Sequence, residues 1–247
     1  AVYQIYPRSF QDTTGSGEGD IAGVTRHLDY LKKLGVGAIW LTPVYPSPMV
    51  DNGYDISDYT AIDGRYGTIE DMDTLIAEGK KRDIRVVMDL VYNHTSDQHA
   101  WFQESRRDPS GPYGDYYVWR DEPTEFADAR IIFIDTEESN WTFDPVRKQF
   151  YWHRFFSHQP DLNYDNPRVE AEMLRVVASQ TIGQMGETEE GANPMEVMAW
   201  YTAAPPATCP SRVSTSRLLK PEPVGMSLFL LISDSLESTW SVYKWCV

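Results

Sequence analysis

GDIAGVTRHLDYLKKLGVGAIWLTPVYPSP, residues 19–48, decides how the rest of the chain is read. Its first half sets Ile21, Val24, Leu28, Leu31 and Leu34 at helical spacing behind Asp20, a good helix N-cap, with Gly35 following as a stop. Its second half, Gly37 to Pro43, is a short apolar run closed by proline and reads as a buried strand. Val2 to Pro7 upstream and Ile84 to His94 downstream have the same character. A helix from Ile69 to Arg82 is expected between the last two. Thr68 would be its N-cap, Asp71 would give only an imperfect capping box, and Met72, Leu75 and Ile76 supply the apolar stripe. Strand, helix, strand, helix, strand is an α/β order that needs crossover connections and a parallel sheet, and either a barrel or a doubly wound sheet satisfies it. No glycine-rich phosphate loop follows any strand, which counts against a dinucleotide fold.

The 247 residues, 41% hydrophobic and 13% aromatic, suffice for one large domain. A net charge of −15 would repel nucleic acid and anionic membrane, so neither is an expected partner and a neutral ligand fits better. Cys209 and Cys246 support neither a disulfide framework nor a zinc site. The longest apolar run, Leu228 to Ile232, is too short to cross a bilayer, and no charged-then-apolar leader opens the sequence. A soluble, cytoplasmic protein is the expectation.

If the sheet is a parallel barrel, chemistry belongs at the carboxyl ends of its strands. Asp51 and Tyr54, in DNGYDISDY (51–59), follow the second strand, and Asp89, Asn93 and His94 close the third, so both groups would meet on one face. The plain alternative is that Asp89 and Asn93 cap a turn and His94 is a satisfied interior group. Residues 95 to about 160 are dense in Trp and Tyr, which either pack a small unit of their own or wall a pocket; a lectin-like binding module would use a similar stretch.

Together, VYQIYPRSF, the 19–48 stretch, DNGYDISDY, YGT, MDLVYNHTS and QPDLN resemble the α-amylase superfamily, glycoside hydrolase family 13, over residues 1 to about 177. QPDLN (159–163) points to the α-glucosidase side of that family. Residues 1 to about 80 are most similar to the oligo-1,6-glucosidase and trehalose-6-phosphate hydrolase group, and the longer stretch from His94 to Pro167 to trehalose synthases.

The resemblance implies an α/β fold of the (β/α)8 barrel type. Residues 1–94 would be about three β/α units, 95–165 a loop domain after strand 3, 166–177 the start of the next barrel helix, and 178–247 an atypical tail. It implies an enzyme acting on α-glucosidic bonds of small disaccharides or oligosaccharides, foremost the interconversion of maltose and trehalose, with an α-glucosidase or trehalose-6-phosphate hydrolase as the alternative. Asp51 and His94 would then hydrogen-bond a glucose and Tyr54 stack on its ring. Asp89, Asn93, Asp161 and Asn163 would support the site, with Asp55 bracing the loop. No organic cofactor is implied. Relatives carrying DxNxDGxGD bind Ca2+ or Mg2+. Here Asp12 and Asp20 match but Thr14 and Ser16 replace two ligand positions, so a metal-free glycine turn is the preferred reading of the 12–20 loop.

The resemblance ends where the catalytic carboxylates are due. Retaining glycosidases need a nucleophile and an acid/base carboxyl close together, and the family supplies them from GFRxD and later motifs. No Arg-x-Asp occurs beyond residue 170, and from Ala178 the only aspartate is Asp234. Glu187, Glu189 and Glu190 read as a solvated acidic turn. The tail is consistent with a shifted or spliced reading frame, a divergent half, or a recombined or partial gene. Because every motif fails together, the first and third are preferred. A catalytically silent sugar-binding fragment is therefore a further alternative, and three units of a barrel would leave a sheet edge uncovered.

Overall fold

Val2–Ile5 (β1), Ala38–Leu41 (β2) and Arg85–Leu90 (β3) lie parallel, with Ile5 beside Leu41 and Leu41 beside Met88, in the computed structural model, which describes residues 1–185, 227–234 and 239–246. Five consecutive residues of β3, Val86 to Leu90, are buried, the pattern of a strand covered on both faces. The strands stop short of the expected ends, and β1, expected to be buried, is exposed at Val2, Tyr3 and Gln4 because it lies at the edge of the described sheet. Pro7 opens a short helix, Pro7–Phe10 (α1), and the chain after Leu90 turns so that Asn93 accepts a backbone hydrogen bond from Leu162 at 2.9 Å.

The helix expected over 21–34 is two segments, Ile21–Arg26 (α2) and Leu28–Lys33 (α3). His27 breaks the run because its Nδ1–H reaches back to the Gly23 carbonyl at 3.0 Å, the acceptor its own backbone N–H would have used; that N–H bonds Val24 O at 3.0 Å instead. Asp20 caps α2 as its residue type implies, accepting from Gly23 N. Leu34, counted in the apolar stripe, is 52% exposed, a correction to the sequence reading. A Schellman closure explains it: Val36 N bonds Leu31 O, Gly35 N bonds Lys32 O, and buried Val36 takes the core position against Leu31. Gly35 makes that turn at φ +78°.

Ile69–Lys80 (α4) starts with a complete capping box rather than an imperfect one. Thr68 N donates to Asp71 Oδ2 at 2.8 Å and Asp71 N to Thr68 Oγ1 at 3.3 Å, so the shorter aspartate reaches where Glu is usual. Met72 and Leu75 are buried and Ile76 packs beside them. Pro167–Met185 (α6) lies against α4 and buries Val169, Met173 and Val176.

Residues between β3 and α6 form a separate layer. Ala100–Arg107 (α5) packs Phe102 against Tyr117, Trp119 and Tyr151, with ring centroids 5.0, 5.4 and 5.1 Å away. Trp119–Arg120 (β4), Trp141–Asp144 (β5) and Gln149–Trp152 (β6) make an antiparallel sheet in the order β4-β6-β5. Those rings are buried, and so is Trp141 against Trp152, so these aromatics build the unit's own core.

In the tail, Ser227–Asp234 (β7) pairs antiparallel with β3, Met88 beside Leu231, and Thr239–Cys246 (β8) pairs with β7. Only the apolar run at 228–232 pointed to buried structure here; that run covers the β3 edge that three parallel strands would leave open. The resulting sheet, β1-β2-β3-β7-β8, is open among the described residues. Glu187, Glu189, Glu190 and Cys209 lie outside the described residues. Among the described residues no helix is long and apolar enough to cross a membrane.

Gly35→Ala isolates the cost of the left-handed turn, because no atom lies within 4 Å of where a Cβ would stand. It is expected to lower unfolding free energy by roughly 1–2 kcal/mol in urea titrations, with Gly35→Asn losing less.

Candidate functional site

The loop after β2 is folded on its own aspartates. Asp55 is fully buried, and its carboxylate accepts from Ser47 Oγ at 2.9 Å, Val50 N at 2.9 Å and Asp51 N at 3.1 Å. Asp51 to Tyr54 then make a tight turn closed by Tyr54 N to Asp51 O at 2.9 Å, with Asn52 at φ 52° and Gly53 at φ 99°. Two positive-φ central residues define the I′ class, for which Asn-Gly is the favoured pair. Asp51 and Tyr54 thereby flank the turn and face the end of β3.

There the expected residues meet. Tyr54 Oη donates to Asp89 Oδ2 at 2.9 Å, and the Tyr54 carbonyl accepts from His94 Nε2 at 3.1 Å. Because a carbonyl only accepts, His94 carries its proton on Nε2, and Nδ1 accepts from Asn93 Nδ2 at 3.2 Å. The Asn93 amide also donates to Asp161 Oδ1 at 3.0 Å, and Arg154 N donates to the same oxygen at 3.0 Å. Asn163 stands one step further out, donating through Nδ2 to the Asp115 carbonyl at 3.1 Å. Asp51, Tyr54, His94, Asp89, Asn93 and Asp161 therefore form one connected group at the carboxyl ends of β2 and β3, and Asn163 anchors the chain returning from the 95–165 layer. Both His94 ring nitrogens are engaged by protein atoms, a feature the sequence did not reveal.

Three further members were missed. Trp40 Nε1, from β2, donates to Asp89 Oδ2 at 3.2 Å. Tyr6 Oη reaches Asn52 Oδ1 at 3.4 Å from the end of β1. Gln159, fully buried, donates through Nε2 to Asp51 Oδ2 at 2.8 Å. Period-2 alternation flags Trp40 only as a strand residue, while Gln159 sits in the QPDLN motif, the one signal that marked it.

Burial governs the electrostatics. It pushes the Asp89 carboxyl up to about 6, against the Tyr54 and Trp40 hydrogen bonds, and Asp161 up to about 7, against bonds from Arg154 N and Asn93. The half-buried Asp51 is also raised by desolvation, opposed by its bond from Gln159. His94 is pushed down to about 4 by the same loss of water, so it is a neutral imidazole. The group is thus polar, with a neutral imidazole beside carboxyls that ionise less readily than exposed ones.

In the 12–20 loop both matching aspartates accept backbone N–H groups. Asp12 accepts Thr14 N, Gly15 N and Gly17 N at 2.8, 2.8 and 2.7 Å, and these amides hold its carboxyl down to about 2. Asp20 is occupied by Thr13 N and Gly23 N at 2.8 and 2.7 Å. A hard cation takes several oxygen ligands, and these amides already use lone pairs of both carboxylates. Among the described residues no cluster of three or more His, Cys, Asp or Glu side chains is placed to hold one.

A family model described as alpha amylase, catalytic domain, matches residues 4–182. The trehalose synthase/amylase TreS of Mycolicibacterium smegmatis is 59% identical over 175 residues, 71% of this chain and 30% of that protein. The trehalose-6-phosphate hydrolase of Escherichia coli is 55% identical over 177 residues, 71% of this chain and 31% of that one. Among solved structures, the trehalulose synthase MutB from Pseudomonas mesoacidophila MX-45 superposes with a TM-score of 0.67 at 49% identity, covering 72% of this chain and 32% of MutB. Variants of MutB have been solved with glucose and with sucrose. The chain spans about a third of the length of these relatives.

For Asp89 and Asp161 the folded chain holds a proton more tightly than the unfolded one, so each makes stability fall as pH rises from about 4 to about 6 and about 7 respectively. His94 acts oppositely: the unfolded chain protonates first, and stability is lost as pH falls from 6.5 towards about 4. Carbon-detected NMR titration should show Asp161 and Asp89 titrating last among the aspartates and His94 uncharged at pH 5. In urea titrations Asp161→Asn should flatten the decline in stability between pH 5 and 7.

Proposed function

Since this chain belongs to the alpha-amylase family, we propose that residues 1–177 form the glucose-recognition end of an enzyme acting on α-glucosidic bonds of small glucosides, of the type that interconverts maltose and trehalose. The observation that carries this is the direct bonding of Tyr54 to Asp89 and His94 across the ends of two neighbouring parallel strands, with Asp51 on the other side of the Tyr54 turn. A hexose offers hydroxyls at its edge and C–H groups on its faces. Asp51 would accept from the edge, the Tyr54 ring would cover a face, and His94, whose Nε2–H lies on the Tyr54 carbonyl, would contact a hydroxyl by exchanging that acceptor. Asp89, Asn93, Asp161 and Asn163 would hold these groups in place. The identity to TreS over residues that include the whole 95–165 layer supports the maltose–trehalose reading.

In the architecture we propose, β1, β2 and β3 are the first strands of a (β/α)8 barrel over residues 1–94, with 95–165 a loop domain and 166–177 the start of the next barrel helix, in a cytoplasmic protein. Catalysis of the retaining kind needs an attacking carboxylate that forms a glucosyl ester as the glycosidic bond breaks, and an acid that protonates the departing oxygen. In the isomerase the retained glucose, not water, then attacks the ester; in a hydrolase water does. No residue of this chain matches the family motif for either carboxylate, which favours a second reading in which the chain binds glucose without turning it over. The 12–20 loop is proposed to work as a self-capped turn without metal.

Incubating the purified chain with maltose separates the readings: trehalose marks the isomerase, free glucose alone the hydrolase, and no turnover with glucose binding intact the silent form. Translating the gene downstream of codon 175 in every frame would expose a displaced GFRxD. Asp51→Ala is expected to weaken glucose binding by about ten- to a hundredfold in isothermal titration, the loss of a hydrogen bond to a charged group. An unchanged affinity overturns the assignment of Asp51 to the sugar.

A further inference from the structure

Gln159 reaches Asp51 from a part of the chain 108 residues away, in the layer inserted after β3. Its side chain is fully buried and held at both ends: Nε2 donates to Asp51 Oδ2 at 2.8 Å, and Oε1 accepts from Phe156 N at 3.2 Å. Its backbone N closes the same turn on Phe156 O at 2.8 Å. The amide therefore has one orientation, since reversing it would set a carbonyl against a carboxylate and an N–H against an N–H. Two residues on, Asp161 is tied to Asn93 and to Arg154 N, so the segment from 156 to 161 is pinned to the β3 end.

We infer that Gln159 is a positioning residue for sugar recognition. By fixing the Asp51 carboxylate it makes affinity for glucose depend on the seating of the 95–165 layer against the strands. The inference rests on the proposed contact between Asp51 and glucose. A rigid layer holds one carboxylate oxygen and leaves the Asp51 rotamer no freedom to lose on binding; without that bond the carboxylate samples several rotamers, and its burial disfavours the charged form. The effect should appear as affinity and as pH dependence together, because one hydrogen bond supports both the geometry and the ionised state.

The test uses the full chain with glucose and maltose as probes. Gln159→Met, close in volume and without polar atoms, is expected to weaken both by about tenfold, the scale of one charge-assisted hydrogen bond. It should also raise the Asp51 titration midpoint in carbon-detected NMR and move the acid limb of binding to higher pH. In the Asp51→Asn background the same substitution should change affinity little, since Gln159 acts through Asp51. If Asp51→Asn alone leaves affinity unchanged, the functional reading fails. If Asp51→Asn weakens binding but Gln159→Met changes neither affinity nor the Asp51 midpoint, Gln159 is merely structural and the inference alone is overturned. Should Gln159→Met unfold at the assay temperature, Gln159→Glu replaces it; a second carboxylate against Asp51 must raise its midpoint and weaken binding, and the absence of both effects overturns the inference.

Discussion

The parallel pairing of β2 with β3 is the constraint from which the rest follows. With Leu41 beside Met88, the chain leaves both strands in the same direction, and the next residues of each arrive at one end of the sheet. Asp89 sits at that end, buried, and receives Trp40 from one strand and Tyr54 from the loop that follows it. An antiparallel pair would have sent the DNGYD turn and the NH segment to opposite ends, and no side chain is long enough to rejoin them.

Around that pairing the molecule is built in two layers of different character. The sheet and its helices are aliphatic, with Ile21, Val24, Leu28 and Leu31 fully buried in one cluster with Ile39 and Leu41. The inserted layer is aromatic, centred on Phe102 between Tyr117 and Trp119. The join between them is polar: Asn93 to Asp161 and Gln159 to Asp51. Buried polar joins of this kind tolerate few arrangements, because each unpaired group would cost the desolvation of its partner. The seam thus fixes orientation, while the two apolar cores supply cohesion.

Much of this was legible in the chain itself. The alternation from Val2 to His94 specified three strands and their helices, though of these β1 is exposed at Val2, Tyr3 and Gln4, and the ordered motifs specified the family. What escaped was of two kinds. Local departures came from side chains competing with backbone: His27 taking the Gly23 carbonyl, and a Schellman turn handing Leu34's core place to Val36. Longer-range facts, such as the full engagement of the His94 ring or the reach of Gln159 to Asp51, depend on which segments meet in space, and periodicity carries no record of that. The pairing of β7 with β3 belongs to the same class, since an apolar run announces that it will be covered but not by what.

The span between Asp51 and Gln159 also bears on how the molecule assembles. Contacts between near neighbours, such as the Asp51–Tyr54 turn, close a short loop and form early, whereas a bond across 108 residues must wait until the intervening chain has been ordered. The candidate site is therefore completed by its contact of highest sequence separation. A form with all three parallel strands in place, but with the aromatic layer still undocked, would lack the Gln159–Asp51 bond that closes the candidate site.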